Sequence, residues 1–178
     1  MKLNANSYLK FEFLISESVG SCNYTYIYIM LEPFDDAVFM KKALQEAEAA
    51  LDRGEIPVGA VIVTDNRIIA KGHNLTETLT DVTAHAEMQA ITAGSSFLGG
   101  KYLKDCTLYV TLEPCQMCAG ALYWSQISRI VFGASDDHRG YRKMGTQLHP
   151  KTQVSHGILA SECSQILDDF FKARRRLN

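Results

Sequence analysis

From Phe34 onward, apolar and polar positions recur with two distinct periods. Val38, Met40, Ala43, Leu44, Ala47 and Leu51 fall at helical spacing. Asp35 and Asp36 suit the start of that helix, and Gly54 suits its stop. The β-branched run PVGAVIV (57–63) reads as a buried strand, TDN as a turn, and RIIAKGHN (67–74) as the returning strand, which predicts a hairpin. After the polar stretch LTETLTDVT, AHAEMQAITAG (84–94) reads as a helix with Thr83 as its N-cap. CTLYVTL (106–112), CQMCAGALYWSQ (115–126) and RIVFGA (129–134) read as strand, helix and strand. That order predicts a parallel pair with a right-handed crossover. A polar, irregular stretch follows over 135–153, and VSHGIL (154–159) is a short strand or a turn. SECSQILDDFFKARRR (161–176) closes the chain as an amphipathic helix whose core face is Ile166, Leu167, Phe170 and Phe171. No repeat or linker interrupts the pattern, so the expectation is an α/β domain over 34–178, three layers α/β/α around a mixed, about five-stranded sheet.

The first 33 residues do not share this regularity. Lys10, Glu12 and Glu17 break the apolar run that a signal peptide needs, and the uncharged run 18–31 is too short to span a bilayer. Residues 1–33 are read as an extension, disordered or not native, with the functional chain expected to begin at Met30. No membrane association is expected.

A chain of 178 residues suits one domain. Its formal net charge of -2 excludes a globally basic nucleic-acid coat but not a local basic patch. Five cysteines, Cys22, Cys106, Cys115, Cys118 and Cys163, are too few and odd in number for a disulfide framework, which points to a reducing, cytoplasmic setting.

Cys115 and Cys118 stand three apart at a helix start, so they share a face where the helix N-terminus favours thiolate. Such a pair can be redox-active, half of a structural zinc site, or part of a catalytic one. A structural site wants four protein ligands, and neither Cys106 nor Cys163 offers a second pair. One further ligand would leave a position open for water. His85 is the candidate, and Glu87, two residues on, is the candidate proton carrier beside the metal. A spacing of two does not by itself place them together.

HAE at 85–87 and PCQMC at 114–118 match the pattern of zinc nucleobase deaminases. With IPVGAVIV, TAHAEMQAI, LYVTLEPCQMCAGAL, RIVFGASD and GILASECSQILDDFFKARRR, the chain from Asp35 to its end resembles the bacterial tRNA adenosine deaminases of the cytidine/deoxycytidylate deaminase superfamily. The resemblance implies a cytidine-deaminase-like fold and one zinc per subunit on His85, Cys115 and Cys118. It implies hydrolysis of adenosine to inosine at the wobble position of a tRNA anticodon arm, with Glu87 moving the water proton to the ring nitrogen and then helping ammonia leave. It further implies a homodimer, substrate contacts at Asn74, Val58, Leu112 and Asp136, and phosphate contacts at Lys172, Arg174, Arg175 and Arg176. The segment between Asp136 and Gly157, carrying His138, Arg139, Tyr141, Arg142 and Lys143, departs from the family pattern and looks shorter.

Plainer roles stand beside these. Asn74 at a strand end is a natural turn former, Asp136 a natural turn cap, and the cationic end of the last helix a natural complement to its dipole. Trp124 and Tyr123 suit an interface or core rather than a stacking surface for substrate. Two other functions compete: a deaminase of free guanine or cytosine, which EPCxMC and the following YW also resemble, and a zinc-stabilised RNA-binding module. The basic closing helix argues against the first, and an unligated Glu87 against the second.

Overall fold

The computed structural model describes residues 9–13, 25–29 and 35–177. The expected start at Met30 and most of the expected 1–33 extension lie outside the described residues. Within that region β1 (Leu9–Phe13) and β2 (Thr25–Ile29), which the sequence reading did not anticipate, pair antiparallel as a unit of their own.

The second unit begins with α1 (Asp36–Asp52), followed by the hairpin of β3 (Gly59–Thr64) and β4 (Arg67–His73). Asp65 and Asn66 close that hairpin with φ of 48° and 58°. These are the left-handed values of a two-residue turn whose twist matches the strands. Then come α2 (Ala86–Leu98), β5 (Thr107–Leu112), α3 (Gln116–Ser125), β6 (Arg129–Ala134), the short α4 (Tyr141–Met144), β7 (Gln153–His156) and α5 (Ala160–Leu177). The sheet order is β4-β3-β5-β6-β7. β3 runs antiparallel to β4 and β5, while β5, β6 and β7 are parallel, so α3 makes the expected crossover.

Side-chain alternation explains the layers. Ala60, Ile62, Leu108, Val110, Ile130 and Phe132 face Ala86 and Ala90 of α2 and Ala119 and Leu122 of α3. Val61, Val63, Tyr109 and Val131 face Phe39, Met40 and Ala43 of α1 and Cys163 of α5. Strands covered on both faces read as unbroken apolar runs. Two close approaches require glycine: a Cβ at Gly59 would overlap the backbone of Ala43 and Ala47, and one at Gly72 would lie 2.5 Å from the Ala86 carbonyl oxygen. The helices therefore sit directly on β3 and β4, which fixes the start of α2 against the end of β4.

Two local expectations are corrected. Helix α2 starts after His85, not after Thr83, because the amide and hydroxyl of Thr83 both donate to Asp81 Oδ1, at 2.8 and 2.7 Å, and complete the preceding turn. It also runs past Gly94, which packs inside against Ile62 and Leu103, and stops at Gly99 in the left-handed conformation. In α5, Cys163 and Leu167 are buried but Phe171 is exposed, so the core face is narrower than its apolar residues suggest. Among the described residues no helix is long and apolar enough to cross a membrane.

Candidate active site

The site is built where two helices begin. His85 is the N-cap of α2 and Cys115 the N-cap of α3, both with extended backbone and neither side chain capping its own helix. Their side chains are thus left for something else. Cys118 sits on the first turn of α3, and the Cys115 carbonyl accepts from Ala119 N at 2.8 Å to start that helix. Since only Glu113 separates Pro114 and Cys115 from the end of β5, the sulfurs stand at the carboxyl end of a parallel strand, where open α/β sheets place their ligands.

His85 Nδ1 lies 3.6 Å from Cys115 Sγ and 3.6 Å from Cys118 Sγ. Zinc bonds of ~2.3 Å to sulfur and ~2.0–2.1 Å to nitrogen, opened to a tetrahedral angle, put those atoms ~3.6 Å apart. The three ligand atoms are the one His/Cys/Asp/Glu group of metal-binding geometry among the described residues. Three protein ligands of this kind suit zinc with a position left open. The expected ligands are therefore brought together; Cys106 and Cys163 are buried elsewhere.

The electrostatics are those of a proton-sharing cluster. The thiol of Cys118 donates to Cys115, and this lowers Cys115 to about 4 against the cost of burial, with His85 adding to the effect. Cys118 is pushed far up because it holds the shared proton and is buried. Hydrogen bonding to Cys115 raises His85 above the usual imidazole range, against burial. To hold a divalent cation, Cys115 and Cys118 would ligate as thiolates and His85 as neutral imidazole, so these protons would be released on binding.

Glu87 is the second residue of α2 and only 4% exposed. Burial pushes it up to about 6. The neighbouring Cys115 sulfur raises it further, while His85 and a hydrogen bond from Cys118 oppose the rise. It is thus electrostatically coupled to all three ligands without belonging to the ligating group. The placement comes from the helix turn, as spacing alone does not provide.

The other expected residues are placed as follows. Asn74 directly follows β4 and its backbone amide donates to the Val58 carbonyl at 3.0 Å, while the next residue, Leu75, donates to Ala84 at 2.9 Å, beside His85. Val58 packs on the α2/α3 side of the sheet and Leu112 against the α1/α5 cluster. Asp136 acts as a turn cap, its Oδ1 accepting from the amides of His138 and Arg139 at 2.9 Å each. Lys172, Arg175 and Arg176 are exposed at the end of α5. Arg174, exposed as well, donates to the Gly54 carbonyl at 3.1 Å and lies over the Phe170 ring.

Two carboxylates escaped the sequence reading. Glu113, buried just before the Pro114–Cys115 pair, accepts from Arg142 Nη2 at 2.6 Å and Nε at 3.1 Å, and from the amides of Arg142 and Asp136. It locks α4 and the post-β6 turn onto the strand end that carries Cys115; burial opposes its charge, but these bonds hold its carboxyl below the usual range. Glu55 is fully buried beside Asn74. Neither stands out in the sequence: Glu55 follows Asp52, Arg53 and Gly54, and Glu113 closes a strand as a surface acid would.

Residues 34–134 match the family described as cytidine and deoxycytidylate deaminase zinc-binding region. The tRNA-specific adenosine deaminase of Bacillus subtilis (strain 168) is 42% identical over 147 residues, covering 79% of this chain and 91% of that protein. The chloroplastic tRNA(adenine(34)) deaminase of Arabidopsis thaliana is 43% identical over 161 residues; this chain spans 12% of its length. A solved structure from a study of A-to-I editing by wobble-position tRNA deaminases aligns with TM-score 0.69 at 43% identity, covering 73% of this chain and 99% of that one. A guanine deaminase from Bacillus subtilis aligns with TM-score 0.55 at 39% identity, covering 62% and 68%.

Proposed function

The chain belongs to the cytidine and deoxycytidylate deaminase family, among the tRNA-specific adenosine deaminases, and from that premise we propose that it hydrolyses the wobble adenosine of a tRNA anticodon arm to inosine. One observation carries the chemistry: a His85–Cys115–Cys118 set of zinc dimensions with the buried Glu87 beside it. Bound by those three residues, zinc supplies Lewis acidity and makes water a nucleophile near neutral pH.

The chain's own residues do the rest. Glu87, poised near neutrality, accepts the proton that water loses as its oxygen bonds to C6 of adenine. It delivers that proton to the ring nitrogen, and a second proton then leaves with the amino group as ammonia. Adenosine and water become inosine and ammonia, with no other reactant. Asn74 and the backbone at Val58 and Leu112 wall the base or ribose, and Asp136 shapes the turn that meets RNA. Lys172, Arg175 and Arg176 meet phosphates, with Arg174 fastening their helix to Gly54.

The assembly is a homodimer in the cytoplasm. Trp124 of α3, 77% exposed, and Tyr102 line one surface concavity as an exposed apolar group that a second copy covers. The free cysteines suit a reducing compartment. The likeness to a guanine deaminase favours a second reading, hydrolysis of a free base by the same centre. Ammonia release from an anticodon stem-loop, free adenosine, guanine and cytosine separates the two. The proposal expects turnover of the stem-loop alone; turnover of guanine with the stem-loop untouched selects the second reading.

A further inference from the structure

Glu55 is a carboxylate without solvent exposure, between Gly54 and the start of β3. Its Oε2 accepts from Asn74 Nδ2 at 3.1 Å, from Thr76 Oγ1 at 3.3 Å and from the amide of Glu77 at 3.2 Å, and its Oε1 from the amide of Thr78 at 2.7 Å. Burial works against its charge, but these donors hold the carboxyl below its ordinary range. A buried anion satisfied this completely dictates the orientation of its donors, because any of them turned away leaves uncompensated charge.

The consequence falls on Asn74. Its side-chain amide has two hydrogens, and both are taken, one by Glu55 and one by Thr76 Oγ1 at 3.0 Å. The flip of the amide is therefore fixed. Its carbonyl oxygen Oδ1 accepts no hydrogen bond from the described residues and is not fully shielded from solvent, since His73 Nε2 is the one fully buried side-chain N or O without a partner among them; Asn74 as a whole is 95% buried, directly after β4 and next to the residues leading into His85. An asparagine held this way offers a ligand an acceptor and nothing else.

We infer that Glu55 is a positioning residue which, through Asn74, makes the substrate site read a hydrogen-bond donor on the reacting nucleotide, either the ribose 2′-hydroxyl or an N–H of the base. This rests on the adenosine deaminase reading given above. Glu55→Gln replaces one acceptor oxygen by an NH2 group of the same shape. Asn74 then gains by turning its oxygen toward that group and presenting its NH2 to the ligand, a donor facing a donor.

The experiment is a double-mutant cycle on the zinc-loaded protein with an anticodon stem-loop: wild type, Glu55→Gln, Asn74→Ala and both. The expectation is a loss of roughly 10–100-fold in kcat/KM for each single variant, carried mainly in KM, and a double variant within about threefold of Asn74→Ala. Zinc content stays near wild type for Glu55→Gln, while its thermal midpoint falls, because the new NH2 meets a backbone amide, that of Glu77 or of Thr78, on either side. Losses that multiply in the double variant, or that track lost zinc, overturn the inference. A wobble 2′-deoxyadenosine identifies the donor. A penalty that disappears in Glu55→Gln assigns the ribose hydroxyl, and one that persists unchanged assigns the base.

A measurement independent of substrate keeps the inference testable if the stem-loop is not turned over. In ¹⁵N NMR of the zinc-loaded protein, the two Asn74 side-chain amide protons are expected to be shifted and slow to exchange, and to lose both properties in Glu55→Gln. Unchanged Asn74 resonances overturn the inference whatever the protein deaminates.

Discussion

His85 Nδ1 and Cys115 Sγ face each other at 3.6 Å across the first turns of two different helices, with no backbone hydrogen bond between those helices to hold them so. The distance is that of two ligands on one tetrahedral zinc, and both helices present their positive ends to it. The geometry leads directly to expectations about metal, proton and stability.

His85→Ala and Cys118→Ala are expected to lose zinc from about one per chain to none, by atomic absorption on protein purified without added metal. They should also lose stability, since metal bound only by the folded chain stabilises it; free zinc at about 1,000 times Kd contributes about 4 kcal/mol. Chelation of the wild type should lower its thermal midpoint toward that of these variants. A fully active, zinc-free His85→Ala would contradict the ligand assignment.

Glu87→Gln and Glu87→Ala should keep zinc and fold but lose activity by ~10²–10⁴-fold, the usual weight of a positioned proton carrier. Zinc content and single-turnover rate, measured together, separate this from loss of the metal.

Asp36 gives a pH signature remote from the site. Arg129 grips it with two hydrogen bonds of 2.7 and 2.6 Å, and Tyr109 donates to it at 2.9 Å, tying α1 to β5 and β6. The Arg129 hydrogen bonds lower its carboxyl below the usual range, against burial. A depressed acid stabilises the fold fully above its unfolded pKa of ~3.9, and that stability drains away as pH falls toward the folded value. Asp36→Asn should cost roughly 1–3 kcal/mol at pH 7, and the gap to wild type should close below about pH 4 in denaturant titrations.

At the end of α5, alanine at Lys172, Arg175 and Arg176 should weaken stem-loop binding and flatten its salt dependence. The slope of log K against log salt should fall by about 0.7–0.9 for each phosphate contact removed. Arg174 is left intact in this test because its bond to Gly54 gives it a structural duty. An unchanged slope takes this helix out of the RNA footprint.

Trp124→Glu puts a charge on the exposed apolar group beside α3 and should shift sedimentation from dimer to monomer without loss of zinc. A wild type that sediments as a monomer at micromolar concentration would contradict the dimer.

Much of this was legible in the sequence because period and chemistry coincide there. Val61 to Val63 and Leu108 to Val110 read as buried strands since both sheet faces are covered. His85, Cys115 and Cys118 declared themselves by residue type and by proline and helix starts. What stayed hidden depends on three-dimensional partners. Thr83 looked like a cap until Asp81 claimed its hydroxyl. Asp136 was open to an RNA role, while its Oδ1 caps the amides of His138 and Arg139. Glu55 and Glu113 look like ordinary surface acids in one dimension; only the donors folded around them, from 19–29 residues away, reveal buried anions.

The central claim is hydrolysis of one particular adenosine by this zinc site. The most direct test is mass mapping of an anticodon stem-loop after incubation with the zinc-loaded protein, with Glu87→Ala alongside. Exchange of one amino group for oxygen is expected at the wobble adenosine only, and is expected to be absent with Glu87→Ala. An unmodified stem-loop in the presence of active turnover of guanine or cytosine, or equal conversion by Glu87→Ala, would contradict it.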